Sequence, residues 1–244
     1  MASAPTLAPF SKETTNYARL CRLLLDGGTK ALRHTFDSFY PPATLYGVLN
    51  SPQVSSTLQL LNKKKIIHAT QWNKLYPSPP SSVKSEDFDI TLLMVLLRNI
   101  CPLNPPVTGW DSLSPSSDTS VEANIARVKY YRNKVYGHAI QASVDDPTFN
   151  TLWKDINGAL VGLGVDAASI NRLKTESIDP DVEAHCRELL KDWKKDEDNI
   201  KEKLETLEGM NNVITRCFLT GVFVFEHNPL SPLSLEGLHS LLLG

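Results

Sequence analysis

One segment of the sequence combines basic and aromatic side chains without an acidic one. Residues 126–138 read ARVKYYRNKVYGH, and they carry four cations, Arg127, Lys129, Arg132 and Lys134, and three tyrosines, Tyr130, Tyr131 and Tyr136. Single-stranded nucleic acids are bound by cations that contact phosphates and by aromatic rings that stack on bases. A basic helix face is more often an ordinary solvated surface, so composition alone favours RNA binding only weakly.

Arg132 falls on the face of this predicted helix that should be buried. Val121, Ile125, Val128 and Val135 form an apolar stripe, and at about 100° per residue Arg132 lies within about 20° of Val121. A guanidinium in such a place needs a carboxylate, a set of carbonyls or a wet cleft. Two interpretations stay open: an internal salt bridge or a stem that reaches the surface, or a polar site cut into the apolar seam.

His138 lies six residues after Arg132 and directly follows Gly137. Gly137 is predicted to end the helix with a positive φ. Such a turn would bring the imidazole back toward the guanidinium, unless the two meet across a symmetric interface between two copies. Histidine transfers protons near neutral pH and arginine binds phosphate charge, so the pair is suited to metal-free phosphodiester cleavage. A lone histidine after glycine can equally be incidental.

Most standard enzyme classes are excluded by the rest of the sequence. It contains no phosphate-binding P-loop, no G-x-G-x-x-G, no G-x-S-x-G and no H-E-x-x-H, and its six histidines and four cysteines lack metal-ligand spacing. Neither a cofactor nor a metal ion is therefore expected. The formal net charge of −2 gives no global case for an RNA partner. Without a signal-peptide pattern or a long apolar run, a cytoplasmic protein is predicted, with no membrane contact.

An all-α, multi-helix bundle is predicted to position this segment. Helices are expected from Ser11 to a stop at Gly27-Gly28, from Thr29 to Pro41, over 43–49 and 52–61, over a buried stretch 89–100 opened by Ser85, from a capping box Thr119-x-x-Glu122, and from Pro147 to Gly164. Three regions result: a flexible tail 1–10, the bundle 11–165 and a helical extension 166–244 of unknown role. The extension is expected to contain one long charged helix over 179–208, and residues 213–225 suit either a strand or a buried helix.

The segment from Arg132 to His138 resembles the R-N-x-x-x-x-H motif of the HEPN superfamily (higher eukaryote and prokaryote nucleotide-binding domains). Five blocks in order, residues 89–93, 97–100, 109–111, 130–133 and 152–156, resemble one branch of it. That branch is named after the DAZ-interacting zinc-finger ubiquitin ligase, and it also occurs near the N-terminus of animal proteins with immune-receptor-like architecture. The resemblance covers roughly residues 15–165.

The resemblance implies a helical bundle that pairs into a symmetric homodimer, with two motifs facing one cleft. In active members these motifs cleave RNA without metal and leave a 2′,3′-cyclic phosphate and a 5′-hydroxyl. Carried to this chain, His138 would be the acid and base, Arg132 the phosphate clamp and Asn133 the orienting residue. Arg98 and Asn99 would line the same cleft, although they also suit the ordinary end of a helix.

Two hypotheses for function follow. The first is an RNA-directed domain and metal-independent endoribonuclease that works as a dimer, with the basic and aromatic side chains of 127–136 on single-stranded RNA. The second is a non-catalytic module that dimerises a larger, innate-immune-like signalling protein. The intact Arg132, Asn133 and His138 favour the first. The small basic patch favours the second, because RNA binding depends strongly on phosphate neutralisation.

Overall fold

The computed structural model describes residues 11–138 and 142–176, together with four isolated helical positions, 184, 188, 192 and 195. The α-helices of these ranges are α1 (Lys12–Arg22), α2 (Gly28–Phe39), α3 (Pro42–Leu49), α4 (Pro52–Lys63), α5 (Ala69–Leu75), α6 (Ile90–Asn99), α7 (Val121–Tyr136), α8 (Asp146–Gly162) and α9 (Ala167–Thr175). Every regular element described is helical, which confirms the all-α prediction. The tail 1–10 and the segment 213–225 lie outside the described residues, as does the helix predicted over 179–208 apart from those isolated positions.

The first two helices are joined by a π-helical turn, Leu23–Gly27, and not separated by a glycine stop. Gly27 and Gly28 keep helical φ angles of −66° and −62°. A Cβ added to Gly27 would lie 2.8 Å from Cδ1 of Leu160 on α8. The predicted stop was wrong because glycine here permits close packing of two helices and does not break the backbone.

The core is centred on α6, whose residues from Ile90 to Leu97 are all buried. This helix packs against α2, and its apolar character on all sides predicted the burial. Its N-cap is Asp89, whose carboxylate accepts a hydrogen bond from the backbone N–H of Leu92 at 2.8 Å. The predicted range 89–100 agrees with α6 within one residue at each end, but the predicted N-cap Ser85 was wrong, since Ser85–Asp87 forms a separate 3₁₀ turn.

The segment of chemical interest lies on α7, which packs extensively against α8. The cap of α7 is Ser120, whose hydroxyl accepts a hydrogen bond from the backbone N–H of Ala123 at 3.2 Å. The predicted capping box at Thr119 was therefore one residue early. α8 begins after its cap Asp145 and ends before Gly164, which has a φ of +88°, as predicted.

The sequence pattern gave no indication of α5 and α9. α9 follows directly after Val165 and packs against α1 and α8. Among the described residues, no helix combines the length and the apolar character that crossing a membrane requires.

Candidate nucleic-acid interface

Arg132 is completely buried inside the bundle, with 0% of its surface exposed. Ile125, Val128 and Val135 on the same face of α7 are also 0% exposed, whereas Val121 is half-buried. The prediction that Arg132 lies on the buried face is confirmed. In a single chain its guanidinium is therefore out of reach of solvent and of any bound phosphate.

Lys129 lies one turn before Arg132 and is also nearly enclosed, with 7% of its side chain exposed. Its Nζ donates a hydrogen bond to Oδ1 of Asp111 at 2.5 Å. Burial lowers the pKa of Lys129, the charges of Arg98 and Arg132 lower it further, and the Asp111 carboxylate opposes them. The charges of Arg98 and Arg132 thus both act on Lys129, and we call these three residues the cationic cluster. The carboxylate of Asp111 contacts this cluster at Lys129.

Arg98, in the last turn of α6, lies within this cationic cluster and beneath an aromatic ring. Its Cζ is 5.5 Å from the ring centroid of Trp110, a cation–π distance. Asn99 is exposed, and its Nδ2 donates to the Val95 carbonyl of its own helix at 2.8 Å. The structure thus brings Arg98 close to Arg132, whereas the Asn99 amide bonds to the backbone of the last turn of α6.

Arg127 and Tyr131 lie on another side of α7 and connect parts of the fold. Nη1 of Arg127 donates to Oδ1 of Asn124 at 2.7 Å, and its Nη2 donates to the backbone carbonyls of Asp118 and Pro115. Tyr131 donates its hydroxyl hydrogen to Oδ2 of Asp155 at 3.1 Å. Burial and the Asp155 charge raise the pKa of Tyr131 to about 12. Both side chains are 8% exposed or less, so they support the loop before α7 and the contact with α8.

The last turns of α7 carry the accessible part of the predicted site. Asn133 and Lys134 are exposed there, and Tyr130, Tyr136 and His138 are half-buried. Together these five residues form what we call the α7-end surface.

Gly137 does not turn the chain as predicted. Its φ of −56° is helical, and the backbone N–H of His138 donates to the Val135 carbonyl at 3.0 Å. The helix does end at Gly137, which is its C-cap, but the predicted positive φ was wrong because the glycine keeps a helical φ, so no left-handed turn there returns the imidazole toward Arg132. The charge neighbour of His138 is Asp145. The backbone and hydroxyl of Thr148 lower the pKa of Asp145, and His138 adds to this lowering.

Two features of this region were not predicted from the sequence. The Lys129–Asp111 pair joins residues that are 18 positions apart across a loop. A cavity of about 630 Å³ between α7, α8 and the loop is lined by Arg127, Tyr131 and Asp155, with Gly158 and Gly162 on its α8 wall. The spacing Gly158-x-x-x-Gly162 is the one sequence pattern that could have indicated it, because two glycines one turn apart leave a helix face without side chains. Within the described residues no group of three or more His, Cys, Asp or Glu side chains could hold a metal ion.

Comparisons with known proteins identify the family of the chain. The family model for the DZIP3/hRUL138-like HEPN domain matches residues 42–186, a range that contains the whole of α7. Two curated relatives are the E3 ubiquitin-protein ligase DZIP3 of Mus musculus, 26% identical over 189 residues, and that of Homo sapiens, 27% identical over 184 residues. The matches cover 70% of this chain but only 14% of either ligase. No solved structure matches the chain significantly.

Proposed function

The chain belongs to the DZIP3/hRUL138-like HEPN family, and from this premise we propose that it is an RNA-directed domain that binds single-stranded RNA at the α7-end surface. The proposal extends to metal-independent RNA cleavage through His138 and Arg132 when two copies pair. We expect this activity in the cytoplasm.

The α7-end surface is the observation that supports RNA binding best. Lys134 is exposed and supplies charge for a phosphate, while the half-buried Tyr130 and Tyr136 supply ring faces for bases. The sequence contains no Asp or Glu from residue 123 to residue 144, so no carboxylate of this segment repels a phosphate chain. Lys129 and Arg132 of the cationic cluster lie on the same helix and add positive potential.

Cleavage would use the side chains of the R-N-x-x-x-x-H motif in an RNA-bound state. The 2′-oxygen of the RNA would attack the adjacent phosphorus while the bond to the 5′-oxygen breaks, which gives a 2′,3′-cyclic phosphate and a 5′-hydroxyl. His138 would take the proton of the 2′-hydroxyl and return a proton to the leaving 5′-oxygen, and the exposed Asn133 would orient the phosphate. Because Arg132 is 0% exposed in one chain, its role as a clamp requires that pairing of two copies uncovers the end of α7.

A second function, a non-catalytic pairing module, is favoured by the burial of the predicted cations. Arg127, Lys129 and Arg132 are all 8% exposed or less, so most of the positive charge of the motif is used inside the fold. The relatives are ligases of which the match covers 14%. On this proposal the domain would join copies of a longer signalling protein, and Arg132 would be a structural residue.

A cleavage assay separates the two functions. Purified chain is incubated with mixed single-stranded RNA in EDTA, and the products are resolved on a gel. We expect cleavage by the native chain and by His34→Ala, a matched change of an exposed histidine on α2. His138→Ala should lose about 10²–10⁴ in rate, and an all-DNA strand should stay intact. Equal rates for the native chain and His138→Ala, or cleavage that stops with EDTA, would overturn the nuclease and leave the pairing module.

A further inference from the structure

A short strap of the loop before α7, residues 106–114, crosses the cationic cluster. Pro106 is buried at its start, and the backbone N–H of Gly109 donates to the Pro106 carbonyl at 2.7 Å. Gly109 has a φ of +77°, a conformation that favours glycine and reverses the chain. The hydroxyls of Thr108 and Ser114 are 3.1 Å apart and close the base of the strap. This geometry presents the two residues after Gly109 to the protein body.

Those two residues contact two cations in the way a nucleotide does. Asp111 places a carboxylate oxygen 2.5 Å from Nζ of Lys129, and the ring of Trp110 lies 5.5 Å from Cζ of Arg98. An anion on an ammonium and an aromatic plane on a guanidinium are also the contacts that single-stranded RNA makes, through phosphate and base respectively. The tip of the strap is therefore chemically similar to one nucleotide.

We propose that the strap is an internal competitor for RNA, in which Asp111 holds the place of a phosphate on Lys129 and Trp110 the place of a base on Arg98. This inference rests on the RNA-binding part of the proposed function. RNA would displace the tip, so the phosphate subsite of the cationic cluster opens only when the strap moves outward.

Charge balance makes such an exchange feasible. Lys129 is 7% exposed, and a buried ammonium needs an anion close by. A phosphodiester carries one negative charge, as Asp111 does, so the exchange leaves the net charge around Lys129 unchanged. The side chain of Asp111 itself is 46% exposed, so an incoming phosphate can reach the position beside Lys129 that the carboxylate occupies.

The surroundings of the strap leave room for its tip to move outward. Its outer side is open to solvent, with Val107 fully exposed and Leu113 41% exposed. The chain just after the strap is fixed, because Arg127 holds the carbonyls of Pro115 and Asp118. An outward movement of the tip would therefore leave the start of α7 in place.

Binding measurements with strap variants test the competitor. The probes are a fluorescein-labelled 12-nucleotide oligouridylate, followed by anisotropy, and inorganic pyrophosphate, followed by the shift in Tm. Asp111→Asn removes the competing charge at constant shape, and Asp87→Asn makes the same charge change at an exposed acid of the 3₁₀ turn. We expect Asp111→Asn to bind the RNA about three- to tenfold more tightly than the native chain. Asp87→Asn should stay within about twofold of the native chain.

A second variant guards against a folding defect in the first. Trp110→Leu removes the aromatic ring from Arg98 while the Lys129–Asp111 pair remains. Because the ring no longer competes with a base, this variant should also bind RNA more tightly. If the native chain binds RNA and neither strap variant binds more tightly, the competitor is overturned while the proposed function stands. If no protein binds RNA but pyrophosphate raises the Tm of Asp111→Asn more than that of the other proteins, RNA binding fails and the internal carboxylate still competes for a phosphate subsite. If no protein binds RNA and pyrophosphate raises the Tm of Asp111→Asn no more than that of the other proteins, both proposals are overturned.

Discussion

Gly162 of α8 and Asn124 of α7 are in such close contact that a Cβ on Gly162 would lie 2.5 Å from Nδ2 of Asn124. Asn124 in turn accepts a hydrogen bond from Nη1 of Arg127 at 2.7 Å. The second terminal nitrogen of Arg127 holds the carbonyls of Pro115 and Asp118. Gly162 on α8 is thereby linked, through the buried guanidinium of Arg127, to the loop that precedes α7.

Two glycines of α8, one turn apart, should respond to alanine in opposite directions. Gly158→Ala adds a methyl group to open space, and we expect a stability gain of about 0.5–1 kcal/mol because glycine is a poor helix former. Gly162→Ala pushes Asn124 away from Arg127 and should lower stability instead. Urea unfolding of the two variants measures the difference. A gain in both would show that the Asn124 contact is not needed.

Arg127 should matter for stability and not for RNA affinity. Arg127→Lys keeps the charge but cannot donate to Asn124 and two carbonyls at once, so we expect a loss of about 1–3 kcal/mol. The loop before α7 should become sensitive to protease. RNA affinity below the unfolding transition should stay within about twofold of the native value, since the guanidinium is directed into the fold. A large loss of RNA affinity in a folded variant would place Arg127 on the RNA.

Local periodicity was enough to predict the burial of Arg132, because residues 125, 128, 132 and 135 share one face of a regular helix. It was equally sufficient for α6 and α8. Local periodicity could not predict contacts between residues that are distant in the sequence. Gly27 was expected to stop a helix, whereas its neighbour in space is Leu160, and nothing near Lys129 in sequence indicated Asp111.

The choice of backbone conformation at Gly137 was also beyond the sequence. Glycine tolerates both positive and negative φ, so the residue type alone does not decide between a helix end that turns back and one that continues. Because Gly137 has a helical φ of −56°, the end of α7 does not turn His138 back toward Arg132 of the same chain. The remaining alternative is that the two side chains meet when two copies pair.

Lys134 should carry a measurable share of RNA binding because it is the exposed cation of the α7-end surface. For single strands each lost phosphate contact changes the slope of log K against log salt by about 0.7. We expect Lys134→Ala to weaken RNA binding and to flatten that slope by about this amount. Lys63→Ala, at an exposed lysine that ends α4, is the matched control and should bind like the native chain. Identical slopes for both variants would remove Lys134 from the interface.

Tyr131 should stabilise the fold at neutral pH and lose this effect at alkaline pH. Its folded-state pKa of about 12 is above the ordinary value of 10.0, so the folded chain keeps the phenol proton where the unfolded chain releases it. The contribution is therefore complete below pH 10 and declines as the pH rises toward 12. Tyr131→Phe should be less stable than the native chain at pH 8, by about 1.5–3 kcal/mol for a bond to a charged acceptor. Urea unfolding should show a smaller deficit at pH 11, and a deficit that grows would contradict the pKa shift.

Arg132 offers the sharpest test of catalysis against structure. Arg132→Met keeps an apolar stem in the buried seam and removes the charge, and the loss of one partner from a buried polar contact lowers stability. Arg132→Lys keeps the charge and loses the planar fork that grips a phosphate twice. If Arg132 clamps the transition state, each variant that thermal unfolding shows to be folded should cleave RNA at least about 10² more slowly than the native chain. Light scattering on the same samples should show a dimer at high micromolar concentration. A folded Arg132→Lys chain with the native rate would exclude the clamp, and a strict monomer that still cleaves RNA would exclude the composite site.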